Sequence, residues 1–556
     1  MTKKRMKTPG KARHPTALEG KMKGPVLNTG YSHGGASLTR QALRGYNPVK
    51  SSSKSDVDAN LNVLRNRSAD MYINSPLGAS AINTSRAHII GAGLALSAKI
   101  NYRILGMSAE QAIEWQHSTK AEFDLWADSL ECDLYRKNNF YDMQDIAFIS
   151  YLVDGDAWAA IKYRKPKNDF PYCTRVQLFE AARVCNPGTF PTAGNVPYML
   201  VEKRNQKNGN RIINGIEIDN DGAVVAYWIA NRYPYDPVDC SQLEWARVEA
   251  FGRRTGYQNI LQISHEERPE QYRGVPFLSP VIEELKQVSR FTDAELTAAI
   301  IKSYFTLFFK TQSQGAGGLG AGGLPEAYGP EEKIDFSKYI FELGAGTMNE
   351  LPPGYDVQTV DASRTLSVFE PFVNALVSHI GAALGIPSEV LLSRFQSSYS
   401  AARGALLQFM AVAHARRTWF ARDFCQPVYE RWLAEAVAIG RIRAPGFFDS
   451  PLLRKAWSRA DWFGPVMGML DPEKEVRAAK LREEYGYSTG EREAAEMTGT
   501  TYSENIAQLS VERQNWRNNN LAYPRTKPVE ENGEETEEDA GAQTPWTMSG
   551  EGGKSQ

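Results

Sequence analysis

Three short stretches have the residue types and spacing of known chemistries. Gly315-Ala316-Gly317-Gly318-Leu319-Gly320 carries the glycine spacing that lets backbone amides wrap a dinucleotide pyrophosphate. That chemistry needs a strand before the loop and a helix after it. Here a helical pattern precedes and a coil pattern follows, so the segment reads as a flexible loop. Gly486-Tyr487-Ser488-Thr489-Gly490 matches a nucleophile elbow, in which a serine is raised on a strained strand-to-helix turn. Its flanks are charged helical patterns with no apolar strand leading in. Ser488 with Glu491 therefore reads as a capping box, and Gly486 as a helix C-cap. Gly553-Lys554-Ser555 lacks the glycine, five residues before its Gly-Lys pair, that a phosphate loop requires.

Metal and acid–base chemistry fare no better. The seven histidines (His14, His33, His88, His117, His265, His379, His414) form no HxH, HExxH or Cys/His cluster. The five cysteines (Cys132, Cys173, Cys185, Cys240, Cys425) are an odd number without a CxxC, and read as reduced thiols in a cytoplasmic protein. Glu283 and Glu284 read as a solvated helix face and not as an acid–base pair. No catalytic residue, metal site or cofactor site emerges, which directs attention to structural and binding roles.

The elements that would position any site are better defined. At 556 residues, the chain is long enough for three or four domains. Hydrophobic residues make up 42%, enough to bury a core over most of its length. The formal net charge of −1 argues against a dedicated, tight nucleic-acid binder. No apolar run approaches the ~18 residues of a membrane span, and the best candidate, Ala298 to Phe309, is broken by Lys302. The basic N-terminus has no apolar stretch behind it and does not read as a secretory signal.

The near-zero charge hides an asymmetry. Residues 1–67 carry a net +11 and residues 526–556 a net −6, both rich in Gly, Ser, Thr and Pro, and both read as mostly unfolded. Residues 56–100 read as helical. Ser108 and Gln111 form a capping box at the head of a helix over 108–129, with Ala112, Ile113, Trp115, Phe123, Leu125 and Trp126 as its apolar set. From about residue 156, strand patterns follow (AWAAIKYR, RVQLFEAARV, GIEID, AVVAYWIA), punctuated by the Asn220-Asp221-Gly222 turn, which describes an α+β domain with an antiparallel sheet. A long helix is expected over 277–309, about 50 Å at ~1.5 Å per residue. Two more are expected at 366–385 and 400–440, and a charged helical segment at 471–517.

Several of these stretches also resemble one family. Arg65, Arg67, Ser68, Asp70 and Asn74-Ser75-Pro76, then Ile89-Ile90-Gly91-Ala92-Gly93, resemble the opening helix and turn of the lambda-type portal proteins of tailed bacteriophages. Phe123, Trp126, Cys132 and Asp133 fit the next helix and its exit. Asp154-Gly155-Asp156 resembles a turn between strands. The segment Arg268 to Pro276 (RPEQYRGVP) is similar to the family's RPxQxRGVP, with Asp293-Ala294-Glu295-Leu296 in the helix that follows. Leu351-Pro352-Pro353-Gly354 matches until Tyr355, where the family usually has an acid. Gly385 to Leu391, Ser398 to Arg403 and Asp471 to Glu475 complete eight pieces in the family's order.

The resemblance implies an α+β portal fold assembling into a ring, usually of twelve copies, with a central channel. Its parts would be a basic arm (1–59), an α/β wing (60–276), a stem helix (277–309), a clip with the glycine-rich loop (310–362), and a second stem helix (363–391). A tunnel loop (392–402), a long helix returning into the wing (403–464), a helical crown (465–517) and an acidic tail (518–556) would follow. It implies a non-enzymatic role at one capsid vertex of the virion, after assembly in the host cytoplasm. The implied partners are other copies of the chain, the large terminase subunit, a head-completion or tail adaptor, the major capsid and scaffold proteins, and double-stranded DNA. Membranes and cofactors are not implied. Gln396, Ser397, Ser398, Tyr399 and Ser400, with Arg403, would form the loop nearest DNA. Lys286, Arg290, Lys302 and Arg403 would be lumen-facing basic residues; salt bridging between subunits is the other reading of each, and for Lys286, Arg290 and Lys302 it serves equally well. A packaging enzyme of the terminase type, or another capsid or tail protein, is the alternative class. The former needs a phosphate loop and acidic metal ligands.

Overall fold

The structure is a computed structural model. It describes residues 35–37, 40–165, 170–188, 202–234, 236, 238–239, 241–303, 307–310, 348–351, 369–395, 398–466, 472–519 and 521. The glycine-rich loop 315–330, the Leu351-Pro352-Pro353-Gly354 turn beyond its first residue, and both charged termini lie outside that set.

The body opens with helices α1 (Leu61–Asn74) and α2 (Pro76–Ile89), separated where Ser75 leaves the helical region and its hydroxyl caps α2 at Gly78. A short strand β1 (Ala95–Ala98) and one helical turn, α3 (Tyr102–Leu105), lead to α4 (Ala109–Ala127), which begins with the expected Ser108–Gln111 capping box, both bonds present. Ala112, Trp115, Phe123 and Trp126 are buried as expected, but Ile113 and Leu125 are 50% and 64% exposed. The helix presents a narrower apolar stripe than its composition suggests.

Helix α5 (Phe140–Asp154) feeds β2 (Asp156–Tyr163), the centre of a three-stranded antiparallel sheet with β3 (Thr174–Phe179) and, later, β9 (Ile260–Ser264). Between them a five-stranded antiparallel meander is inserted: β4 (Glu202–Arg204), β5 (Arg211–Ile213), β6 (Ile216–Ile218), β7 (Val224–Ala230) and β8 (Trp245–Glu249). Its β5–β6 hairpin turns through Asn214 and Gly215, both at positive φ as a tight primed turn requires. Three of the strand readings hold to within a residue or two, but RVQLFEAARV is strand only to Phe179 and then a 3-10 turn at Ala181–Arg183. The Asp154-Gly155-Asp156 piece, however, joins a helix to a strand, with Gly155 at φ 87° ending α5.

The stem expectation needs shortening. Helix α6 spans Ile282–Ser303, about 33 Å instead of 50 Å. A 3-10 turn at Ser279–Val281, with Pro280 in it, precedes the helix, and Leu307–Lys310 is a strand (β10), paired in parallel with β11 (Met348–Leu351). Helix α7 (Phe369–Leu384) and the turn of helix α8 (Ser388–Leu391) follow. The expected 400–440 helix is two helices, α9 (Tyr399–Phe420) and α10 (Gln426–Ala438), joined by a π-helical turn at Ala421–Cys425. Pro427 has no N–H for the carbonyl four residues back, and the widened turn falls where that bond is missing. Helix α11 (Pro451–Trp457) and strand β12 (Ala460–Phe463), paired with β1, close the body. The charged helical segment expected at 471–517 is α12 (Pro472–Glu484), α13 (Gly490–Met497) and α14 (Tyr502–Asn518). Thr489, not Ser488, caps α13 by accepting from the Arg492 N–H.

One core ties α2, α4, α5, α9 and α10 to the three-stranded sheet. At its centre Phe123 meets Phe140, Tyr429 and Trp432 edge to face, with ring centroids 5.0–5.8 Å apart. A second, smaller core of Trp158, Ile213, Ile216, Ile218 and Tyr227 sits under the meander.

Candidate functional site

The expected DNA-facing residues lie on α6 and around the α8–α9 junction. Lys286 and Arg290 are exposed, one helical turn apart on the same side of α6, and neither has an ion pair among the described residues. Lys302 lies in the last turn of α6. Gln396 and Ser397 fall outside the described residues. Ser398 is exposed as the N-cap of α9, and its Oγ lies 3.5 Å from that of Ser400. Tyr399 and Ser400 begin α9, so the loop ends at Ser398 and not at residue 402. Arg403 is not a free lumen cation: it pairs with Glu475 of α12 at 2.8 Å, in the same chain.

The loop is held at its base. Ser80 of α2 donates to the Leu391 carbonyl (2.6 Å), and Arg394 reaches Glu370 at the head of α7 (2.9 Å). That last pair is exposed and contributes little stability on its own. Gly385, at φ 71°, turns the chain out of α7, and Arg416 of α9 donates to the Leu384 carbonyl at the helix end. Helices α6 and α7 meet through Phe291, stacked on Phe369 at 5.6 Å and edge-on to Phe372 at 4.9 Å. Beyond that contact they are sparsely covered. Leu296 and Phe372 are 60% and 45% exposed, and Leu407 of α9 is 52% exposed.

What aims these helices is a buried ionic node not evident from spacing. Arg273 is fully enclosed and donates twice to Asp156 (2.6 and 3.1 Å) and to the carbonyls of Val184, Asn214 and Ala181. Arg65 of α1 donates to the same Asp156 (2.8 Å) and to the Asp154 carbonyl. Burial alone would raise the Asp156 carboxyl, but the charges of Arg273 and Arg65 outweigh it and hold it below the usual carboxylate range. Three stretches quoted for the family resemblance, around residues 65, 154–156 and 268–276, thus converge at one point.

Arg268, Gln271, Tyr272 and Arg273 of the 268–276 segment all bond at or beside this junction. Arg268 holds the incoming N-terminal chain through Asp56 (2.7 Å) and the Ser51 carbonyl. Tyr272 donates to the Gly222 carbonyl, and Gly274 lies directly against Gly155. Phe277 then donates its N–H to Leu152 before α6 begins. Residues 54–58 form a π-helical turn with Val57 and Asp58 buried, so the folded body starts before the expected residue 60.

Asp58 and Asp154 face the node. Burial pushes each carboxyl up to about 6, against the Asn214 hydrogen bond and the Arg273 and Arg65 charges for Asp58, and mainly against Arg65 for Asp154. Between the ordinary 3.8 and about 6 the native state therefore binds more protons than the unfolded one, and their contribution to stability falls as pH rises through that window. Asp58→Asn keeps an acceptor for Asn214 without the charge. Its stability relative to the native chain is expected to rise by on the order of 2 kcal/mol between pH 4 and 7 in urea melts; a constant difference contradicts the assignment.

Among the described residues no group of three or more His, Cys, Asp or Glu could hold a metal, and no helix is long and apolar enough to cross a membrane. The site is a set of helices and a loop carried on a braced α+β body. The family model for phage portal protein, lambda family, matches residues 39–417, and the chain belongs to that family. Its function is that of the structural portal protein of a phage head. It is 25% identical over 496 residues to portal protein B of Escherichia phage lambda, covering 86% of this chain and 88% of that protein. It is 26% identical over 497 residues to the portal protein of Escherichia phage N15, covering 86% and 89%. Among solved structures, the neck of an empty gene transfer agent particle aligns over 78% of this chain and 92% of its own, with 14% identity and a TM-score of 0.37.

Proposed function

We propose that copies of this chain close into a ring, a dodecamer in the particle, whose channel carries double-stranded DNA into the capsid and out again. The observation that carries the reading is the α6–α7–α9 set: helices with the apolar side chains Leu296, Phe372 and Leu407 uncovered in the single chain. Helix α8 is joined to α9 by the stretch 392–398, exposed at its described residues, which holds Leu392 and Phe395 among polar residues. Neighbouring copies would cover those apolar side chains, and the stretch would line the opening with weak, sequence-independent contacts. Each phosphate neutralised by a cation adds salt-dependent grip, so a sliding channel is served by few free cations. Lys286 and Arg290 supply exposed charge, whereas Arg403 is tied to Glu475.

Under this reading the large terminase subunit drives DNA through the ring, the glycine-rich loop 315–330 offers it a docking point, and a tail adaptor later takes its place. Capsid and scaffold proteins surround the ring at one vertex, with assembly in the host cytoplasm. The family is a structural one, and no catalytic step is assigned to the chain. Deleting residues 396–400 tests the loop. Rings are expected to form normally while packaged and retained DNA falls at least tenfold. Rings that form and package and retain DNA at the native level contradict the role.

A further inference from the structure

A groove of about 900 Å³ runs between α9, β12 and α13, and no described segment fills it. Its apolar lining includes Leu407, Met410, Trp462, Phe463 and Ala495. Its charge is unbalanced. Arg422 and Lys455 are paired with Asp423 and Glu430, while Asp461 and Glu496 are paired with Lys99 and Arg492. Two of its cations have no carboxylate partner among the described residues. Arg417 is 6% exposed, and its hydrogen bonds within the described residues go to the Ile89, His88 and Pro465 carbonyls. Burial without a counter-charge lowers it to about 10. Arg459 is exposed on the rim with no ion pair among the described residues.

The chain itself carries the complement. Residues 530–539 hold seven carboxylates in ten positions, Glu530, Glu531, Glu534, Glu535, Glu537, Glu538 and Asp539. Their reach is suitable. Helix α13, which supplies Ala495 and Glu496 to the groove, leads directly into α14, whose start is pinned to α4 by the Ser503–His117 and Lys120–Glu504 contacts. The 17 residues of α14 carry the chain about 25 Å away. The eight residues 522–529, extended, cover about 26 Å back. We propose that the acidic segment 530–539 folds back along α14 and docks in the α9–β12–α13 groove of its own chain, its carboxylates compensating Arg459 and Arg417. Docked there, it would shield Arg459 and the groove from DNA and other polyanions.

Zero-length carbodiimide cross-linking of the full chain, read by mass spectrometry, tests this independently of ring closure. Light and heavy isotope-labelled subunits are mixed before assembly. Cross-links are expected from Lys455 to residues 530–539, within one isotope label, falling at least fivefold in Arg459→Glu and in 0.5 M salt. The Lys455–Glu430 link serves as the internal control and is expected to persist in Arg459→Glu. Control links without tail links, tail links indifferent to Arg459→Glu, or tail links of which about half join differently labelled subunits, as docking on a neighbour gives in an equal mixture, would each overturn the assignment.

Discussion

Arg273→Met is expected to cost on the order of 3–5 kcal/mol, a large fraction of the stability of a folded domain. The side chain is enclosed and makes five hydrogen bonds from one guanidinium. Methionine fills much of the volume but leaves Asp156 buried with Arg65 as its one ion-pair partner among the described residues, beside the Trp158 indole and the Gly274 N–H, and removes the guanidinium donor from three carbonyls. The penalty is the desolvation of the orphaned partners, not the net worth of the pair. Two controls separate that cause from simple loss of packing. Arg273→Lys keeps the charge yet cannot span the same partners, and is expected to fall between the native chain and the methionine variant. Adding Asp156→Leu to Arg273→Met removes the stranded carboxylate and is expected to recover part of the loss. Urea unfolding of the three variants checks this; a loss below about 1 kcal/mol for Arg273→Met would falsify the node's role.

Gly274→Ala is expected to be nearly as damaging for a different reason. A Cβ built on Gly274 would lie 1.8 Å from the Gly155 carbonyl oxygen, and one on Gly155 would lie 2.5 Å from the Val275 carbonyl carbon. Both obstructions are backbone, so no flexible side chain can yield. Overpacking of this kind costs about 1–3 kcal/mol or more, and Gly155 also sits at φ 87°, where an L side chain is strained. Once Gly274→Ala has pushed the segments apart, Gly155→Ala should cost less than it does alone, giving a coupling of the single effects in a double-mutant cycle. Additive losses, or a Gly274→Ala protein as stable as the native chain, would show that the segments are not in close contact.

Much of the architecture was legible in the chain because local physics decides it. The Ser108–Gln111 box, the strand pairs around Asn220-Asp221-Gly222 and the α+β class follow from capping and alternation. The errors occur where tertiary context overrides local pattern. Ile113 and Leu125 fit a helical stripe, yet the core reaches only the side holding Trp115 and Phe123. The 277–309 pattern is continuous, but the chain turns to strand at Leu307. The 400–440 pattern hides a π-turn because one proline signals it only indirectly. The node could not be read at all from spacing, since Arg65, Asp156 and Arg273 are 91 and 117 residues apart. The available signal was an arginine held between apolar and glycine positions in QYRGVP, and an aspartate following a strongly apolar helix.

Of the proposed loop, the family resemblance named the residues, and the structure moves its end to Ser398 and ties Arg403 to Glu475. The structural supports, Ser80, Arg394 and Arg416, carried no motif.

Electron microscopy of the purified full-length chain bears most directly on whether it is a channel-forming ring subunit. Closed rings with a central hole, wide enough for duplex DNA and of one dominant symmetry, are the expected result. A monomeric particle at high protein concentration, or open and irregular aggregates without a hole, would contradict it.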